Sequence, residues 1–450
     1  MSYKNGLSLS LILALFSSSI SFALERNVLT LQDCIHRALQ SNLQIRIIKK
    51  QLAEAMGRKQ EAFGQFLPQL SAYASYNRLS EIPSFDIPVM VLKPDGGVGS
   101  LVRFYGYETA PYTMGEEENY LARVSLTQNL FTWGKIYRAH KHASLYYQIT
   151  AEELRRTENE VVFEVKKLFY SVLLARKFLD IANKSVEVME RQYQVTQGFF
   201  KEGKVSLLDV SRVKVLLVNT QTKRIRAANQ LTLARKALAN IINLPEGEGW
   251  EIQGKLSFIP RQEDLEDSIS QALARRPEMK QIALQKKMAH NALILARAAN
   301  KPNLSFLADY QYQKPYYFDN EWKDNWSLGF SLSFPFFTGF SIQGKVRRAS
   351  ARLEGVEIAR DQLEKNIRLE VEKIFLEREE AKERIQAQQV NVKSARKNLE
   401  AVEERYEKGL VSDIELRDTQ LALTQAETEY SQALYDYNMA QAQLEKAIGK

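Results

Sequence analysis

Asn325-Trp-Ser-Leu-Gly-Phe-Ser-Leu-Ser-Phe334 is the stretch on which the fold turns. Trp326, Leu328, Phe330, Leu332 and Phe334 alternate in it with Ser327, Gly329, Ser331 and Ser333. A period of two separates the two sides of a β-strand, so the segment predicts a strand with one wholly apolar face and one small, polar face. Tyr120 to Thr127 repeats the pattern, with Tyr120, Ala122, Val124 and Leu126 set against Arg123, Ser125 and Thr127. Leu70 to Arg78 and Leu304 to Tyr312 alternate less cleanly. Each segment is about ten residues long, the length a tilted strand needs to cross an outer membrane. Tyr73, Tyr76, Tyr120, Tyr310, Tyr312 and Trp326 are expected to form an aromatic girdle at the membrane–water boundary.

Around these strands the chain repeats itself. With a shift of 234, Leu31 falls on Leu265, Asp33 on Asp267, Ala38 on Ala272, Pro68 on Pro302, Leu70 on Leu304 and Tyr76 on Tyr310. With a shift of 206, Leu126 falls on Leu332, Phe131 on Phe337, Gly203 on Gly409, Ser206 on Ser412 and Leu238 on Leu444. The chain is therefore two copies of one unit. The change of shift places about 28 extra residues in the first copy, within the Pro- and Gly-rich stretch from Pro83 to Glu118, which reads as a long loop.

Each unit reads as helix, strand, loop, strand, very long helix, tight turn, helix. Gln32 to Phe63 and Leu265 to Ala299 are amphipathic helices that close before Pro68 and Pro302. Long helices follow over 135–197 and 341–405, free of proline, each reaching roughly 90–100 Å at 1.5 Å per residue. They end at Lys201-Glu202-Gly203 and Glu407-Lys408-Gly409, and helices restart over 206–242 and 412–448. Leu416, Leu423, Tyr430, Tyr437 and Leu444 recur every seven residues, and four of the five equivalents Val210, Leu217, Arg224, Leu231 and Leu238 are apolar. A seven-residue stripe predicts pairwise coiled-coil packing. Residues 24–242 are then the first repeat, 264–450 the second, and 243–263 a connector with room for a short strand or helix.

Residues 1–23 read as a cleaved secretory signal, with Lys4, an apolar run from Leu7 to Phe16, and Ser21-Phe22-Ala23 at the cleavage site. Cys34 is the only cysteine, so the fold is held by packing and the thiol is expected to be a buried apolar residue. The net charge of +8 is spread among matching acids, which does not favour nucleic-acid binding. His36, His140, His142 and His290 are scattered, and no phosphate loop, nucleophile elbow or cofactor motif is present; the pattern is not that of an enzyme.

Four strands cannot close a barrel, and an open sheet in lipid leaves two edges of unpaired backbone groups at several kcal/mol each. Three copies supply twelve strands, an even number within the bacterial range. The expected fold is therefore mixed α and β. Four strands from each of three chains make a 12-stranded outer-membrane β-barrel the natural count, with other small rings left open by the sequence alone.

Phe200-Lys-Glu-Gly203-Lys-Val-Ser206 and Tyr406-Glu-Lys-Gly409-Leu-Val-Ser412, each followed by a heptad helix, resemble the repeated pattern of TolC-family outer-membrane efflux proteins. The likeness covers essentially the whole mature chain. It implies a homotrimer in outer-membrane lipid whose β-barrel is continuous with a long α-helical coiled-coil periplasmic barrel, forming a passive exit duct that docks a periplasmic adaptor, or membrane fusion protein, and an inner-membrane transporter. It further implies a periplasmic gate at Glu415 and Asp418, where three copies would set six carboxylates round one axis, attracting cations and raising the acids' own pKa values. Beside that stands a local role for Glu415, since Ser412-Asp413-Ile414-Glu415 reads as a capping box. Asp209 and Tyr406 match positions of a closed-state lock, while Val411 stands where a second link would need an arginine. The adaptor is expected at the turns around Gly203, Ser206, Gly409 and Ser412. The competing reading is a soluble periplasmic coiled-coil scaffold or adaptor, against which stands the alternating strand set repeated in both halves.

Overall fold

The computed structural model describes residues 27–94, 102–113, 115–245, 250–317, 319–408 and 410–450; the expected signal segment, residues 1–23, lies outside them. The first half contains β1 (Asn27–Leu29), α1 (Leu31–Ser41), α2 (Leu43–Gly64), β2 (Gln69–Arg78), β3 (Ser84–Pro94), β4 (Val102–Thr113), β5 (Glu118–Phe131), α3 (Lys135–Lys201) and α4 (Leu207–Ile241). After β6 (Trp250–Ile252) come α5 (Leu265–Arg275), α6 (Pro277–Arg297), β7 (Asn303–Lys314), β8 (Lys323–Ser333), α7 (Ser341–Glu407) and α8 (Asp413–Ala447). The chain divides into two compact units, one of residues 1–50, 152–280 and 361–450, the other of 51–151 and 281–360, so each draws on both halves of the sequence.

The second unit holds the antiparallel sheet, in the order β2-β5-β7-β8. Its register shows the duplication directly, because Leu70 opposite Leu126 in β2–β5 maps by the two shifts onto Leu304 opposite Leu332 in β7–β8. Opposed residues of an antiparallel pair share a face. Leu332, Phe330, Leu328 and Trp326 therefore lie on one side with Leu304, Phe306, Ala308 and Tyr310, and through β5 with Val124, Leu126, Ala72 and Leu70. The four β8 side chains on this face are 64–72 % exposed in the single chain. The opposite face is polar: Arg123 donates to Gln311 (3.1 Å) and the Ser125 hydroxyl to Asp309. β2 and β8 each pair on one side only.

Two expectations need correction. Tyr73 does not belong to the girdle, because it opposes Arg123 on the polar face. Its own Tyr76 is on the apolar face with Tyr120, Tyr312 and the unforeseen Trp322, whose rings form a chain of contacts at 4.8, 5.5 and 4.9 Å between centroids. The stretch from Pro83 to Glu118 is not a plain loop either: β3 and β4 form an antiparallel hairpin with a bulge at Val91/Leu92. Alternating Phe85, Ile87, Val89 and Val91 favour strand here, and a two-stranded ribbon tolerates Pro88 and Pro111 because each strand has a free edge.

The opening helices are each broken once. Asn42 ends α1 in an extended conformation and its side-chain oxygen accepts from the amides of Gln44 and Ile45, restarting the helix. Arg276 ends α5 at the equivalent break, with its amide donating to the Ala272 carbonyl, and Pro277, a residue suited to a first helical position, opens α6. β8 stops at Ser333, short of the expected 337, with Pro335 unable to donate to a ladder.

In the first unit β1 and β6 pair in parallel, so the connector does contribute a strand. Cys34, Ala38, Ile45, Val165, Phe169, Leu238 and Trp250 form one core cluster. Ile269, Ile367, Val371, Ile374 and Leu444 form a second. Of the heptad positions, Leu416, Tyr437, Leu444, Val210, Leu217 and Leu238 are buried and Arg224 is exposed. α8 ends at Gly449 (φ +76°), where a Cβ would meet the Arg275 backbone at 3.1 Å.

Leu328→Lys is expected to lower stability in the outer membrane by about 2–4 kcal/mol, and Ser327→Lys by far less. The yield of folded protein in outer-membrane fractions reads the difference; equal losses would show that the two faces meet the same surroundings. Burial pushes the Cys34 thiol up to about 11, so it remains protonated at pH 8. Iodoacetamide should leave it unlabelled in the folded chain and label it in urea.

Candidate functional site

The two helix–turn–helix tips of the first unit are built alike. α3 closes with the Lys204 amide donating to the Phe199 carbonyl and the Gly203 amide to the Phe200 carbonyl, both at 2.9 Å, with Gly203 at φ +74°. This is the left-handed closure that glycine permits. α7 closes with the Leu410 amide on the Arg405 carbonyl (2.9 Å); Gly409 lies outside the described residues. Ser206 and Ser412 then cap α4 and α8. Leu207, Leu208, Leu410 and Ile414 project from the tips, exposed.

The caps differ in how they use their acids. At Ser206 the box is complete: the Asp209 amide donates to the serine hydroxyl (3.2 Å), while the Asp209 carboxylate accepts from the Ser206 amide (3.0 Å) and hydroxyl (2.6 Å). Those bonds hold the Asp209 carboxyl below its ordinary value, with Arg212 helping from 3.6 Å. At Ser412 only half the box forms. The Glu415 amide donates to the hydroxyl (3.3 Å), and among the described residues its carboxylate makes no return bond.

Glu415 and Asp418 are exposed, while Leu416 and Thr419 beside them are buried, so the two carboxylates stand on the open side of α8. Asp418 has Arg417 at 3.9 Å, the limit of pairing. Asp209 and Tyr406 are not hydrogen-bonded to each other in this chain. Tyr406 has another neighbour: burial, then the charge of Asp413, push its phenol upward.

Gln192, unforeseen from sequence, joins Asp413 to α3. Its amide nitrogen donates to the Asp413 carboxylate, and the side chain is 5 % exposed, leaving its buried oxygen without a partner. The signal was present as a polar interruption in the buried stripe Val186, Met189, Gln192, Thr196. Elsewhere in this unit a cavity of about 280 Å³ is lined by Lys166, Arg261, Gln441 and Glu445 among others. Three of its charges are mutually engaged: burial pushes the Glu445 carboxyl up, but Lys166 and Arg261, at 2.5 and 2.9 Å, bring it below its ordinary value. Among the described residues no cluster of three His, Cys, Asp or Glu could hold a metal. No described helix is long and apolar enough to cross a membrane.

The sequence profile described as "Outer membrane efflux protein" matches residues 34–244 and 268–450. The chain belongs to that family. Its two matched segments are the two copies of the duplicated unit, less the connector. The chain is 24% identical over 340 residues to the alkaline protease secretion protein AprF of Pseudomonas aeruginosa, spanning 73% of this chain and 69% of that one. It is 22% identical to the outer membrane protein TolC of Vibrio cholerae, over 78% of this chain and 81% of that one. The fold superposes on the Campylobacter jejuni CmeC outer membrane channel with a TM-score of 0.76 at 16% identity, covering 93% of this chain and 85% of that one. It is an outer-membrane channel of an efflux or secretion system.

Ser206→Ala is expected to cost about 1 kcal/mol, read as a lower urea midpoint and as faster tryptic cutting between Lys201 and Lys204. Because the Asp209 carboxyl is depressed in the folded state, its support for the turn is fully present above about pH 4 and fades as pH falls further. Asp209→Asn should therefore accelerate cutting at pH 7 relative to wild type, with the gap narrowing in acid.

Proposed function

We propose that three copies close a 12-stranded barrel and a helical tunnel, forming a passive, non-catalytic exit duct that meets a periplasmic adaptor and an inner-membrane transporter. The observation that carries this is a four-stranded sheet with one continuous apolar face and two unpaired edges. The duplication also supplies the register of closure. β8 is the repeat equivalent of β5, and β2 of β7, so the pairing of β5 with β7 within the chain is the template for β8 of one copy with β2 of the next. Ser125 opposite Asp309 becomes Ser331 opposite Ser75, and Val124 opposite Tyr310 becomes Phe330 opposite Tyr76. Both new pairs keep their faces, so the apolar belt continues across the seam.

In a Cys34→Ala background, Ser331→Cys with Ser75→Cys is expected to give disulfide-linked trimers in membranes, and Ser331→Cys with Ser71→Cys monomers only. Monomers from both would overturn the closure.

At the tips, Glu415 and Asp418 are assigned to a cation-attracting ring at the tunnel end, supported by their exposure and the uncommitted Glu415 carboxylate. Asp209 and Tyr406 are assigned to holding the tips closed, the first through its cap and the second through its place beside Asp413. The turns at Gly203, Ser206, Gly409 and Ser412, with exposed Leu207, Leu208, Leu410 and Ile414, are assigned to the adaptor. Glu415→Gln with Asp418→Asn should shift the planar-bilayer reversal potential in a KCl gradient away from cation preference. An unchanged potential would remove both residues from the ring.

A further inference from the structure

All four strands of the sheet meet their helices at the same end. Gln69 opposes Thr127, Leu304 opposes Phe131 and Asn303 opposes Ser333, so α2, α3, α6 and α7 all abut this edge. Two features converge there. The first is aromatic: Phe63 and Trp133 are exposed beside the junctions, and the link from β8 to α7 carries Phe334, Phe336, Phe337 and Phe340 at 56–84 % exposure. The second is charge. Residues 135–151, 281–302 and 341–353 contain eleven Lys and Arg and no Asp or Glu.

Few of these cations are neutralised within the chain. Lys286 pairs with Glu357 at 2.8 Å. Lys141, Arg297, Lys345, Arg347, Arg348 and Arg352 are exposed and have no ion pair among the described residues. Lys345, Arg348 and Arg352 follow at spacings of three and four, one face of α7. They occupy about the first 16 Å of that helix.

An aromatic band followed by a band of unpaired cations is the arrangement a protein presents to a membrane boundary with anionic headgroups. Rings sit at the headgroup level, and cations beyond them act on phosphates within a Debye length of about 8–10 Å. We infer that this basic collar below the sheet binds anionic phospholipid headgroups of the leaflet facing the periplasm, anchoring the channel at a set depth. The inference rests on the reading of the sheet as a trimeric membrane barrel.

The test uses the full chain purified as a trimer in zwitterionic detergent, with native mass spectrometry after addition of phosphatidylglycerol or phosphatidylcholine. Wild type should retain phosphatidylglycerol in preference, with retention falling as salt rises and surviving millimolar inorganic phosphate. K345Q/R347Q/R348Q/R352Q, which keeps good helix formers, should retain at least about ten-fold less. A variant with as many cations removed from α4, K214Q/K223Q/R224Q/R226Q, should behave as wild type. No preference in wild type, equal retention by the collar variant, equal loss in the α4 variant, or displacement by free phosphate would each overturn the inference. So would unchanged lipid retention with altered anion conductance, which would place the cations on the tunnel wall. Failure of wild type to form trimers at all would instead strike the barrel reading.

Discussion

A backbone amide in hydrocarbon has no water to turn to, and that constraint governs everything else in this molecule. Four strands with one apolar face satisfy their interior groups in the ladders β2–β5, β5–β7 and β7–β8, but not at the outer edges. A larger ring completed by copies of the same sequence, as proposed, would pair both edges.

Much of this was readable without coordinates because the deciding signals are periodic. Trp326 to Phe334 reads as a strand with two unlike faces, the proline-free runs over 135–197 and 341–405 as long helices, and the seven-residue stripes after them as helices that pack in pairs. Periodicity does not assign a face to an isolated residue, however. Tyr73 was grouped with the girdle on residue type, whereas its place opposite Arg123 is decided by pairing with a strand about fifty residues away. The hairpin β3–β4 was hidden for a related reason: its prolines and glycines signal turns locally, and only cross-strand pairing shows that Pro88 and Pro111 lie within a two-stranded ribbon and Gly106 at its bulge.

The tips show where spacing misleads about chemistry. Ser-x-x-Asp and Ser-x-x-Glu look equivalent on paper, yet the shorter aspartate reaches back to its cap and the glutamate does not. One side-chain methylene thus separates an acid committed to its own cap from one left unbonded to it. Gln192 lay beyond sequence reading because its partner Asp413 is 221 residues distant. A buried polar residue announces that it has a partner without saying which.

The duplication carries an implication for descent. Strand β5 of the first copy joins β7 of the second within one chain, and the same kind of seam is left open at each end. An ancestor holding a single copy would have brought only two of these strands. Six such molecules would have been needed for an equal circumference, every junction between them alike. Fusion in pairs would turn three of those six junctions into covalent neighbours and free the two halves to diverge. Only the first half carries the extra ribbon, so a ring of three such chains would have three-fold decoration on a six-fold plan.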